Sequence, residues 1–289
     1  MGEIVGAVLL SHIPRLMMSA EERARYTQGK GTTFFDAYAR IKEKLAALEF
    51  DTFIVFDTHW NALTHIVVDG RARHRGIYTS EEVPTMIHDL RFDYPGDPEL
   101  AEEIGYTAND MRFLIRVMRS TEKHLPYHYP TLVPMHFLNT RKKRRVLPIS
   151  NNFTTSVQND LDLGAAIREA IGKSGRRVVL VASGGLSHKF HPFDELFQKA
   201  SPDLANIPPE NRAMDEQIIE LLKAGRHERV IDLAPAYRRV ASPEGRFSHY
   251  LRMVGTLGGQ YCTLKAEQLG EYEAAVGTGQ VNLWFDVPH

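Results

Sequence analysis

The sequence predicts an α/β protein: one large domain over residues 1–289, with a central mixed sheet flanked by helices and an active site at the carboxyl ends of the strands. Three observations lead there. Short apolar runs of strand length alternate with segments whose apolar residues recur at helical spacing. No composition shift, long linker or fixed-period repeat divides the chain. Finally, three of the apolar runs end in a polar loop that carries a histidine.

Ile4-Val5-Gly6-Ala7-Val8-Leu9-Leu10 reads as the first strand and gives way to Ser11-His12-Ile13-Pro14. Thr32 to Leu48 is a helix, with Phe35, Ala37, Tyr38, Ile41, Leu45 and Leu48 on one stripe. Phe53-Ile54-Val55-Phe56 lies in a strand over 52–58 that ends in Asp57-Thr58-His59-Trp60, and a further strand covers 65–69. Glu99 to Tyr106 and Thr107 to Met118 read as two helices, the second with Met111, Leu114, Ile115 and Met118 on one face. A strand over 145–150 precedes a helix from Leu163 to Ile171 that Gly172 caps. Val178-Val179-Leu180-Val181-Ala182, in a strand over 177–183, opens into Ser183-Gly184-Gly185-Leu186-Ser187-His188. Helices from Arg212 to Ala224 and from Phe247 to Leu257, and strands over 260–265 and 281–285, complete the pattern. Gly70 to Asp97 and Phe193 to Arg212 read as irregular excursions, of the length that active-site lids or oligomer contacts take.

Composition narrows the function classes. A net charge of −1 and 25% charged residues create no global field for nucleic acid or a membrane surface. The one basic run, Arg141-Lys142-Lys143-Arg144-Arg145, reads as a solvated turn. Cys262 is the only cysteine, so neither a disulfide framework nor a thiolate metal cluster is expected, and a buried structural thiol is its plain role. The start of the chain has no basic leader and no run reaches membrane-spanning length, so a cytoplasmic protein is expected.

Thirteen histidines are present. Surface placement is the plain reading for His65, His74, His88, His124, His136, His191, His227 and His289. His12, His59 and His188 differ, because each follows a strand and strand ends in an open α/β sheet converge where ligands gather. Each alone reads as a strand-end cap; the three together read as a shared site. Neutral imidazole is the commonest protein metal ligand, and two histidines with one carboxylate form the facial triad of non-haem iron oxygenases. Glu244, between Pro243 and Gly245, is the best carboxylate candidate, although spacing alone favours an ordinary acid at a helix start. Asp57 is better suited to support His59 than to ligate.

Five segments together resemble the class III extradiol ring-cleavage dioxygenases, the family of the protocatechuate 4,5-dioxygenase catalytic subunit. They are Ser11-His12-Ile13-Pro14, Phe56-Asp57-Thr58-His59-Trp60, Thr131-Leu132-Val133-Pro134-Met135, Ser183 to His188, and Gly277-Thr278-Gly279-Gln280-Val281-Asn282. The resemblance spans the chain in order and is nearest the single-subunit homoprotocatechuate 2,3-dioxygenases; Gly76 to Pro84 also looks like that subgroup.

The resemblance implies Fe2+ held by His12, His59 and Glu244, with His188 as the non-ligand acid and base. Tyr129 falls where the protocatechuate enzymes carry a second pocket histidine, with His128 next to it. A phenol there can hydrogen-bond substrate or oxygen, or simply pack. The implied partners are a small catechol, such as 3,4-dihydroxyphenylacetate or another carboxylated catechol, and O2, with no nucleic acid or membrane. The implied assembly is a homo-oligomer. Arg15, Arg246, Ser248 and His249 are the candidates for substrate contact, with solvent exposure as the alternative for the arginines. Two rival classes use the same residues: a Zn-dependent hydrolase on the His/His/Glu set, and a non-catalytic binding relative.

Overall fold

The computed structural model describes residues 1–119, 128–141 and 143–288, so His124, Lys142 and His289 lie outside the described residues. In chain order the first half comprises β1 (Glu3–Leu10), α1 (Ala20–Tyr26), α2 (Phe34–Ala46), β2 (Thr52–Ala62), β3 (Ile66–Asp69), β4 (Arg73–Tyr78) and β5 (Leu90–Pro95). Next come α3 (Pro98–Asp110), β6 (Ile115–Met118), α4 (Tyr129–Leu138), β7 (Arg145–Asn152), α5 (Val157–Ser174) and β8 (Arg177–Ser183). The last part holds α6 (Pro209–Lys223), α7 (His227–Val240), α8 (Ser248–Thr256), β9 (Ala266–Gln268), β10 (Glu273–Ala275), β11 (Thr278–Gln280) and β12 (Leu283–Phe285).

Eight strands form one mixed sheet in the order β6-β3-β7-β2-β8-β1-β12-β9. β7, β2, β8 and β1 run parallel, while β12 pairs antiparallel with β1. The central strands read as continuous apolar runs because helices cover both faces. Alternation divides their side chains between two cores: Ile54, Phe56, Leu180 and Ala182 enter one, and Phe53, Val55, Val179 and Val181 the other. Apart from Ala182, each of these buried side chains contributes roughly 1.5–3 kcal/mol. The consequence for function lies in the strand order. β1, β8 and β2 are neighbours, and strands lie about 4.8 Å apart, so their three histidine-bearing ends meet at one edge.

Several sequence expectations need correction. The helix expected over Thr107–Met118 does not form; α3 continues to Asp110, Arg112 turns left-handed at φ 65°, and Ile115–Met118 becomes β6 beside β3. Gly172 lies inside α5, which ends instead at left-handed Gly175. The strand expected over 260–265 is a tight turn at Gly259–Tyr261 followed by β9, because Gly258 and Gly259 both take positive φ; Cys262 is buried there. Gly70 to Asp97 is less irregular than expected, since it carries the β4–β5 hairpin. Two histidines read as surface residues are buried: His74, against Asp69 and the Val146 carbonyl, and His227, between Tyr250 and the Leu264 carbonyl. The basic run is partly structural, with Arg144 stacked on Phe50 and bonded to its carbonyl.

Candidate active site

His12 follows directly from β1. Its loop is pinned by Ser11, whose backbone N–H donates to Asn282 Oδ1 (3.0 Å) and whose hydroxyl donates to Gln280 Oε1 (2.6 Å). His12 Nδ1 lies 3.0 Å from Ser183 Oγ at the end of β8. Ser183 spends its single hydroxyl proton on the Pro130 carbonyl, 2.5 Å away, so its oxygen must accept from His12 Nδ1–H. That fixes the tautomer and leaves the His12 Nε2 lone pair free.

His59 sits where β2 breaks register with β7, between Phe56 and Asn61. Asp57 Oδ1 accepts from the backbone N–H groups of His59 and Trp60, both at 2.9 Å, and Oδ2 accepts from Thr131 Oγ1 at 2.6 Å. Asp57 therefore holds the His59 backbone and ties it to α4.

Glu244 arrives from the turn between α7 and α8. Its backbone N–H donates to the Leu186 carbonyl (3.0 Å) in the loop after β8. Gly245, Arg246 and Phe247 then take φ of 53°, 58° and 64°, a run of left-handed residues that costs energy at the two non-glycines. Surrounding bonds stabilise it: Arg238 donates to the Arg246 carbonyl (2.7 Å) and to Asp160 (2.7 Å), which also accepts from Ser248 (2.8 Å) and Arg252 (2.9 Å). The Glu244 carboxylate accepts from Thr58 Oγ1 and from the Gly185 backbone N–H, both at 2.6 Å. Glycine at 185 leaves room for Gln280, since a Cβ there would stand 2.5 Å from Gln280 Nε2 and displace that side chain from its bonds to Ser11 and Thr278.

These elements converge on one point. His12 Nε2 and His59 Nε2 lie 3.1 and 3.2 Å from the same oxygen, Glu244 Oε1. One donor atom from each of the three residues falls within 4.8 Å of the others. If the His12 ring is neutral, its Nε2 lone pair faces a Glu244 oxygen at 3.1 Å, an arrangement that a cation between them, proton or metal, resolves. The donor set thus fits a divalent metal of the kind bound by two imidazoles and a carboxylate. Burial disfavours a charged His59, yet the hydrogen bond and charge of Glu244 outweigh it and raise its pKa. Burial likewise opposes ionised Glu244, but the neighbouring histidines hold it well below the usual carboxylate range.

His188 stands back, with Nδ1 3.7 Å from Glu244 Oε2. Burial lowers its pKa, and His59 and His12 add to that against the opposing pull of Glu244. Tyr129, at the start of α4, packs its ring edge-on against His12 and His59 at centroid distances of 5.4 and 4.5 Å. Burial raises its pKa, so it stays a neutral O–H donor.

Among the described residues, two openings reach the cluster, and His59, His188 and Glu244 line both. The first is a cavity of about 190 Å³ that also includes His12, Tyr129 and Arg15. The second holds Asn61, Phe153, Arg238 and Arg246. Of the other sequence candidates, Ser248 faces Asp160 and lines neither opening. His249 is buried behind the cluster against Gly184, and burial drops its pKa to about 4. Sequence reading gave no role to Ser183, Thr58 or Gly185, although all three lie inside the quoted motifs. It missed Asp160, Asp215 and Glu273 altogether. These are lone acids whose partners are distant in sequence, and nothing local marks them.

Fold and site together define a class: an α/β enzyme with a two-histidine, one-carboxylate cluster at adjacent strand ends. The chain belongs to the family of the catalytic LigB subunit of aromatic ring-opening dioxygenases, whose pattern it matches over residues 6–286, and it is an extradiol dioxygenase of that family. It is 29% identical to the 3,4-dihydroxyphenylacetate 2,3-dioxygenase of Escherichia coli, over 89% of this chain and 91% of that one. It is 30% identical to the 2-aminophenol 1,6-dioxygenase beta subunit of a Pseudomonas species, over 96% and 92%. An uncharacterized Escherichia coli K12 protein of known crystal structure shares the fold, with a TM-score of 0.63, 12% identity and coverage of 97% and 99%. No helix among the described residues is long and apolar enough to cross a membrane.

Proposed function

We propose that this chain opens the ring of a substituted catechol in the extradiol sense with O2, using Fe(II) held by His12, His59 and Glu244, and releases a semialdehyde acid. The observation that carries this is the convergence of His12 Nε2 and His59 Nε2 on one oxygen of Glu244, with an unligated histidine beside them in the same cavity. When bound, ferrous iron supplies open positions for the catechol oxygens and O2 and passes electron density between them. The substrate provides all four electrons, so no external reductant enters.

The protein's part is positioning and proton handling. His188, which burial favours in its neutral form, would take up a catechol hydroxyl proton on binding and give it back during ring opening. Ser187 holds that loop by donating its hydroxyl to Asp215 at 2.6 Å. Tyr129 donates its phenol proton to substrate or oxygen. The substrates named for the two relatives, 3,4-dihydroxyphenylacetate and 2-aminophenol, share an ortho pair of donors on a benzene ring and differ in a carboxylate. We place the enzyme in the cytoplasm as a homo-oligomer.

Anaerobic loading with Fe(II), followed by a catechol panel with O2 uptake and visible absorbance recorded, tests the proposal. Yellow products and O2 consumption are expected. Turnover of esters with bound Zn, and none of catechols with bound iron, would support the hydrolase instead.

A further inference from the structure

We propose that the ring substituent accepted by this site is uncharged and apolar, so that the substrate is an alkyl-substituted or similarly neutral catechol and not one bearing a carboxylate. The inference rests on the ring-cleavage reading of the same site. Away from the His/His/Glu cluster, the cavity is walled by Ile13, Pro14, Val83, Met86, Phe190 and Val276. Such a wall stabilises apolar surface by roughly 25 cal/mol per Å², and these six residues offer an anion no side-chain donor.

Two polar side chains of this wall, Gln280 and Thr278, are already engaged, which leaves the hydroxyls of Tyr26 and Tyr129 as its neutral donors. Gln280 accepts from Ser11 and donates to Thr278 (2.8 Å), and the Thr278 hydroxyl donates to the Ala275 carbonyl (2.7 Å). Arg15 is the only lysine or arginine lining this cavity among the described residues. It is only 2% exposed. Its Nη1 donates to the Ala200 and Ala274 carbonyls, and its Nη2 to the Ala274 carbonyl and to Glu273 Oε2 at 3.2 Å. Glu273 therefore balances the guanidinium charge, and the single remaining donor, Nε, cannot replace the hydration of a carboxylate. Burying an anion so poorly partnered is strongly unfavourable. Glu82, exposed at the rim of the cavity, adds a further negative charge.

The second opening is the cationic one, with Arg238 and Arg246, but Phe153 and Pro243 are its main apolar members. An aromatic ring therefore seats in the first cavity and carries its substituent along the apolar wall.

The test compares kcat/KM of the Fe(II)-loaded full chain for 4-methylcatechol and 4-ethylcatechol with that for 3,4-dihydroxyphenylacetate and protocatechuate. A preference of at least about tenfold for the alkyl catechols is expected. Glu82→Gln, a change at an exposed position, should narrow that ratio several-fold. Equal or better turnover of the carboxylated substrates would overturn the inference while leaving ring cleavage standing. Selective loss of carboxylated turnover in Arg246→Gln would also overturn it, by locating the substituent at the other opening. No turnover of any catechol by protein shown to hold iron would overturn the ring-cleavage reading, and this inference with it.

Discussion

Ser183→Ala probes the link between fold and metal centre most finely. Ser183 is fully buried at the end of β8. Its oxygen accepts from His12 Nδ1–H at 3.0 Å while its proton goes to the Pro130 carbonyl at 2.5 Å. Alanine fits the same space but leaves the ring N–H without a partner at a residue only 4% exposed. Two effects follow. The unpaired donor costs about 1–3 kcal/mol of folding stability. The imidazole also loses what fixes its tautomer and raises its basicity, a change that typically weakens metal affinity about 10–100-fold, or roughly 1.4–2.7 kcal/mol. Anaerobic chelator competition with Fe(II) or Co(II) reads the affinity, and urea unfolding of the metal-free protein reads the stability separately. Unchanged affinity in a folded Ser183→Ala protein would refute the tautomer argument and the orientation of His12 derived from it.

Other perturbations test neighbouring parts. His188→Ala should retain iron and lower kcat by about 10²–10⁴-fold; loss of iron would make His188 a ligand. Asp160→Ala strands the buried Arg252 and loosens the turn that carries Glu244, so it should destabilise by about 3–5 kcal/mol in urea unfolding. A loss under about 1 kcal/mol would mean the cluster of Arg238, Arg252 and Ser248 finds other partners. Acid stability should depend on Asp69. Burial favours its neutral form, but hydrogen bonds from His74 and Arg71 prevail and bring its pKa from 3.8 to about 2. A depressed carboxyl stabilises the fold fully above the unfolded pKa and loses that contribution as pH falls through the folded one. Asp69→Asn should therefore cost about 2 kcal/mol at pH 6, and the gap from wild type should shrink as pH falls from about 4 towards 2. A gap that does not vary with pH would contradict this.

The sequence made the central strands plain and their partners obscure. β1, β2 and β8 could be read directly, because buried parallel strands are nearly pure apolar runs that end abruptly in polar loops. Residues 107–118 misled because Leu114, Ile115 and Met118 recur at helical spacing, and a four-residue edge strand is too short to show alternation against it. α7 went unread since Pro235 lies inside it and its apolar face is interrupted by charge. At the site, the strand-end position singled out His12, His59 and His188 as a set, but not the division of labour among them. Glu244 sits 56 residues beyond His188 in sequence; its Pro-Glu-Gly turn made it a candidate, but spacing favoured an ordinary acid and the family resemblance tipped the choice. Local patterns cannot report which distant turn folds back over a strand end. The role of Arg15 also needed three dimensions, since its neutralising partner, Glu273, is 258 residues away.

Oxygen tracing gives the most direct measurement of the central claim, that the His12/His59/Glu244 cluster supports ring opening by O2. The Fe(II)-loaded protein is given a neutral catechol under isotopically labelled O2, and the ring-opened product is analysed by mass spectrometry alongside the O2 consumed. We expect one O2 consumed per ring opened and gas-derived oxygen in the new carboxylate. Product oxygen drawn from water, with no O2 consumed, would contradict the claim and return the site to metal-assisted hydrolysis.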